Sequence, residues 1–173
     1  RKAIANFIQN RDSYGGVTVE ADAESIYLTD GASKGVQTAL IMLLAAPNDG
    51  IMIPVPQYPL YSATITLYGG KQIGYFLDEK SGWTLSKSML ESSLEEARAK
   101  GVQAKAICVI NPGNPTGEVL TRDNIAMVID FAKRHNLTIL ADEVYQENIY
   151  NPGDKFVSFA RVMTELGEKE VSL

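Results

Sequence analysis

The chain alternates short, continuously apolar runs with longer amphipathic segments. "GIMIPV", "KQIGYFLD", "AKAICVI" and "LTILAD" are short and mainly apolar, so they predict strands. "SIYLT" reads as a further strand, and "EVSL" as the start of another. Helical periodicity fills the intervals. "KAIANFIQNR" places Ile4, Phe7 and Ile8 on one helical face. A second helix is expected from about Ser33 to Ala45. "YPLYSATITLYGG" reads as helical up to its Gly-Gly stop. In "LSKSMLESSLEEARAKG", Ser86 is the expected cap and Gly101 the expected end. "EVLTRDNIAMVIDFAKRH", which carries Asp130 and Lys133, and "FVSFARVMTELG" complete the helices. There is no internal repeat and no low-complexity stretch.

Strands and helices in alternation, with strands apolar throughout, indicate an α/β fold: a mostly parallel sheet with helices on both faces. In such sheets ligands bind outside the carboxyl ends of the strands. The loops to inspect therefore follow Thr29, Pro54, Ile110 and Ala141. They hold "DGASKG", "VPQYP", "NPGNPTG" and "DEVY". The connections at the other end, "EARAKGVQ" and "AKRHNL", read as plain solvated turns.

Bulk properties narrow the field. With 173 residues, 45% hydrophobic and 21% charged, the chain can bury a real core. A net charge of −5 argues against a nucleic-acid or anionic-membrane surface. The longest apolar runs are too short to span a bilayer. Cys108 is the single cysteine and reads as a buried core thiol. His135 falls near a helix end, where a cation suits the dipole, and it receives no chemical role. No Cys/His cluster has metal-ligand spacing, so no metal is expected. No signal or transit peptide is visible. The first residue is Arg and not Met, so the true N-terminus is expected to lie upstream.

Each of the four loops has a plain and a chemical reading. "DGASKGV" opens a helix with small residues, and free N–H groups there suit a phosphate. The plain alternative is Ser33 as an ordinary cap. The segment is neither GxGxxG nor GxxxxGK[ST]. "PVPQYPLYS" brackets Tyr58 with prolines, whose rigidity fixes a ring on which a planar ligand can stack. The alternative is a half-buried tyrosine at a strand end. "LADEVYQ" puts Asp142 at the end of an apolar strand, where it can pair with a protonated ring nitrogen, and Tyr145 can offer its hydroxyl. Glu143 reads as part of a solvated acidic turn. "NPGNPTG" can hold an Asn side chain rigidly, since each proline restricts itself and its predecessor, and an X-Pro bond there can be cis. A plain turn seldom uses two such pairs. Together the loops describe a ligand with an anionic group, a flat ring and a ring nitrogen that wants a carboxylate. Pyridoxal 5'-phosphate fits that description.

"LTDGASKGV", "IPVPQYPLYSATI", "INPGNPTGEVL" and "LADEVYQENIY" resemble the pyridoxal-phosphate-dependent aminotransferases of the aspartate aminotransferase fold, fold type I. The similarity is strongest to the alanine aminotransferase group and its glutamate–glyoxylate aminotransferase relatives, and it covers almost the whole chain. It implies that residues 1–173 are part of the large, cofactor-binding domain. The small domain, the N-terminal segment and the Schiff-base lysine would then lie elsewhere. The implied cofactor-binding residues are Ala32, Ser33 and the Lys34 backbone at the phosphate, and Tyr58 on the ring. Asn114 and Tyr145 would meet the 3-oxygen, and Asp142 the ring nitrogen. No catalytic residue is expected within the chain. The implied activity is transamination between an amino acid and a 2-oxo acid, with alanine and 2-oxoglutarate preferred. Alternatives are a fragment that binds the cofactor at most non-covalently, or a lyase like aminocyclopropane-carboxylate synthase. A homodimer is implied for the full protein, in the cytoplasm or the mitochondrion.

Overall fold

The computed structural model describes residues 1–168. The strand expected at "EVSL" lies outside the described residues. Four strands, β1 (Asp49–Val55), β2 (Lys71–Phe76), β3 (Gln103–Ile110) and β4 (Thr138–Asp142), form one parallel sheet in the order β2-β1-β3-β4. Among the described residues six α-helices accompany them: α1 (Lys2–Asp12), α2 (Ala32–Leu43), α3 (Leu60–Leu67), α4 (Lys87–Ala99), α5 (Arg122–His135) and α6 (Phe159–Glu165).

Alternation along the central strands sorts the core into two layers, as a period of two requires. Met52, Ile107 and Val109 point to one face and pack with Leu90, Leu94, Val128, Phe131 and Val162 of α4, α5 and α6. Ile51, Ile53, Ala106, Cys108 and Ile110 point to the other, against Leu40 of α2 and Tyr61 and Ile65 of α3. Helices therefore cover both faces, as expected. Cys108 is fully buried in the second layer.

Helix ends follow local chemistry. Ser86 caps α4 through the Met89 N–H. Thr121 and Asn124 cap α5 reciprocally, and Asn136 closes it in the left-handed region at φ 53°. α6 begins at Phe159 because Ser158 accepts from the Arg161 N–H.

One expectation is corrected. "SIYLT" forms no strand, and Tyr27 and Leu28 are 83% and 65% exposed. Strand propensity needs a pairing partner, and none is offered to this segment among the described residues. The helix expected over "KAIANFIQNR" forms as α1, with Ile4 and Phe7 at the surface, and it buries Ala5 and Asp12.

The topology fixes where a ligand can sit. From β1 the chain steps outward to β2, then returns to β3 on the other side of β1. This reversal makes a crevice at the carboxyl ends of β1 and β3. The register pairs Ile110 with Asp142, so the loops after β3 and β4 emerge side by side.

Candidate active site

The crevice opens into a cleft of about 180 Å³ lined by Ala32, Ser33, Val36, Tyr58, Leu60, Ile110, Asn114, Asp142, Val144 and Tyr145. Six of the seven predicted site residues meet here, and Lys34 is the exception. A second, more open cleft of about 460 Å³ runs along α2 and the free side of β4, and shares Ala32, Val36, Asp142 and Val144 with the first.

One wall is the start of α2. Gly31 precedes it at φ 79°, a conformation that favours glycine. Its carbonyl accepts from the Lys34 and Gly35 N–H groups at 3.2 and 3.4 Å. The Lys34 N–H is therefore committed to the helix turn, and Lys34 Nζ turns to Gln37 Oε1 at 3.2 Å. The N–H groups of Ala32 and Ser33 precede those bonds and remain at the helix's positive end. The plain reading of Ser33 as the cap does not hold, because the cap position is Gly31 and Ser33 lies inside the first turn.

The opposite wall is built by prolines. The Val55–Pro56, Asn111–Pro112 and Asn114–Pro115 bonds are cis. Tyr58 stands between Pro56 and Pro59 with its ring 47% exposed. In the loop after β3, Asn111 is fully buried. Its Oδ1 accepts from the Leu120 N–H at 2.9 Å, and its own N–H donates to the Asp142 carbonyl at 2.9 Å. Asn111 thus anchors both ends of its loop, while Asn114 is left to face the cleft. Asn114 Nδ2 donates to the Tyr145 hydroxyl at 3.1 Å, which joins two residues predicted to serve one ligand oxygen.

Asp142 ends β4 between these walls. Its Oδ1 accepts from the Val144 N–H at 3.2 Å. Its Oδ2 accepts from the Tyr61 hydroxyl. Tyr61 went unnoticed as a site residue in the sequence. The available signal was position: Tyr61, Thr64 and Ile65 share the buried face of α3, and a phenol on such a face needs a polar partner. Burial, and then the bond to Asp142, push the Tyr61 hydroxyl well above the ordinary tyrosine value.

Glu143 is also corrected. It is not a solvated turn residue: its side chain is 18% exposed, and Oε1 accepts from the Phe159 N–H at 2.8 Å. Arg11 lies 3.9 Å from Oε2 and binds both Asp12 oxygens, at 2.8 and 2.7 Å. Burial raises the Glu143 carboxyl to about 7, against the opposing pull of the Phe159 N–H and Arg11. This cluster ties α1 and α6 to the loop behind Asp142, and charge pairing across 130 residues leaves no local signal in sequence.

The sequence profile of the family "Aminotransferase class I and II" matches residues 1–169. The chain is 50% identical over 175 residues to alanine aminotransferase 1, mitochondrial, from Arabidopsis thaliana, across 100% of this chain and 31% of that protein. It is 47% identical over 176 residues to glutamate–glyoxylate aminotransferase 1 from the same plant, across 100% of this chain and 36% of that protein. An Escherichia coli aminotransferase structure superposes with a TM-score of 0.75 at 34% identity, covering 93% of this chain and 37% of that one. A PLP-bound aminotransferase structure from Clostridium difficile shares the fold at TM-score 0.77 and 22% identity, covering 96% of this chain and 40% of that one. The chain spans about a third of the length of the curated relatives it matches.

Proposed function

The chain belongs to the class I and II aminotransferases, and from that premise we propose that the whole protein moves an amino group between an amino acid and a 2-oxo acid with pyridoxal 5'-phosphate. L-Alanine and 2-oxoglutarate, giving pyruvate and L-glutamate, are the proposed pair, supported by the names of the similar alanine aminotransferases. Residues 1–173 supply part of the large, cofactor-binding domain. The lysine that holds the cofactor covalently belongs to the rest of the protein. A homodimer completes the proposal. Similar proteins named as mitochondrial support a mitochondrial location.

The observation that carries this reading is Asp142, held at the meeting point of the strand ends and facing the cleft with acceptor capacity to spare. The donor set fits the cofactor. The free N–H groups of Ala32 and Ser33, with the Ser33 hydroxyl, suit a phosphate at a helix start. The exposed Tyr58 ring suits stacking on a flat heterocycle. The Asn114 amide and Tyr145 hydroxyl suit a ring oxygen.

When bound, the cofactor supplies an electron sink for the charge left as the substrate loses its α-proton. The chain's part is electrostatic and geometric. Asp142 would hold the ring nitrogen, where its negative charge would favour a proton. Asn114 and Tyr145, joined by their own hydrogen bond, would hold the ring's oxygen as donors. Tyr58 would stack on the ring and shield it from water.

The test is a pyruvate-coupled assay of the full-length protein with L-alanine and 2-oxoglutarate, wild type against Asp142→Asn. Loss of this preorganised charge should lower kcat by about 10²- to 10³-fold, on the scale of removing one electrostatic stabiliser. Near-normal turnover in the variant would remove Asp142 from its role. No pyruvate from the wild type would reject the substrate pair.

A further inference from the structure

Asp142 is held from two directions. The Val144 N–H reaches Oδ1 from the loop, and the Tyr61 hydroxyl reaches Oδ2 from α3. Tyr61 lines the larger cleft but not the one shared by Tyr58 and Asn114, whereas Asp142 lines both. The phenol therefore contacts the carboxylate from outside the proposed ring site. It is well placed to do so. Tyr61 is 1% exposed and sits in the first turn of α3, clustered with Ile51, Ile53, Ile65 and Cys108. A packed aromatic ring has little freedom, so its hydroxyl is a fixed donor.

We infer that Tyr61 is a positioning residue for the proposed transamination, its hydroxyl both orienting Asp142 and keeping it ionised opposite the cofactor's ring nitrogen. The inference rests on the cofactor reading above. A hydrogen bond to the ionised form of a carboxylate favours that form. Asp142 and the ring nitrogen would face each other across one hydrogen bond and act as a pair. Donation from Tyr61 tilts the pair toward carboxylate and protonated ring. Tyr61 can play this part at every working pH, because burial and the carboxylate keep its own proton on. It touches neither substrate nor ring, and acts only through Asp142.

The experiment compares two probes on full-length apoprotein: pyridoxal 5'-phosphate, and its 1-deaza analogue with CH in place of the ring nitrogen. Each is titrated by absorbance into wild type and Tyr61→Phe, a change that keeps the packed ring. Loss of one charge-assisted bond should weaken the natural cofactor about tenfold in the variant and the analogue less than about twofold. Equal weakening of both probes would assign Tyr61 to packing alone and overturn the inference, as would no weakening of either. A wild type that binds neither probe would instead reject the cofactor reading, and this inference with it.

Discussion

Asn111 offers a sharp test of how the cleft is built. Its Oδ1 is the acceptor for the Leu120 N–H at 2.9 Å, a bond buried on both sides. Its Nδ2 makes only a long contact, 3.4 Å, to the Val157 carbonyl. In Asn111→Ala the Leu120 N–H stays buried with no acceptor, which costs about 1–3 kcal/mol. The Val157 contact adds little at that length. We expect a total near 2 kcal/mol, or roughly a 30-fold drop in the folding equilibrium constant. Urea unfolding would read that loss. Amide exchange of the peptide spanning Gly113 to Leu120 should speed up in parallel, because the loop loses its inner anchor. Asn111→Asp refines the reasoning. It keeps an acceptor for Leu120 but turns a carboxylate oxygen toward the Val157 carbonyl, so it should be milder at pH 4 than at pH 8. A change below about 0.5 kcal/mol in Asn111→Ala, with exchange unaltered, would refute the anchoring role, since surface substitutions already scatter that much.

Other expectations follow from the same structure. Phe131 is fully buried between α5 and the sheet, so Phe131→Ala should cost about 3–5 kcal/mol in denaturant unfolding. A loss under about 1 kcal/mol would mean that the layer collapses freely around it. The Glu143 carboxyl lies at about 7 in the folded chain against 4.5 for the free group. The folded state therefore holds this proton more tightly. The stabilisation is complete below about 4.5 and is lost as pH rises through about 7, a difference on the order of 3 kcal/mol. Glu143→Gln should flatten unfolding free energy across that window. An unchanged slope in the variant would assign the pH dependence elsewhere.

How much of this was legible in the sequence differs by element. The four core strands could be read from their short apolar runs, and α4 from its own cap at Ser86 and its stop at Gly101. Three site loops could be read because a parallel sheet gathers its strand ends, which is why Tyr58, Asn114, Asp142 and Tyr145 meet, while Ala32 reaches them from the start of α2 with no strand before it among the described residues. What failed depended on partners distant in sequence. "SIYLT" has strand composition but finds no strand to pair with among the described residues. Glu143 looked solvated because Arg11 and the start of α6 are remote from it along the chain. Tyr61 was hidden for a related reason. Its partner is 81 positions away, and only the fold brings the hydroxyl to Asp142.

The most direct measurement is the ¹⁵N shift of ring-labelled pyridoxal 5'-phosphate bound to the full-length protein, wild type against Asp142→Asn. A carboxylate facing the ring nitrogen should give a protonated ring in the wild type and a neutral one in the variant at the same pH. A neutral ring in the wild type, or the same shift in both proteins, would contradict the placement of Asp142 on which the proposed chemistry depends.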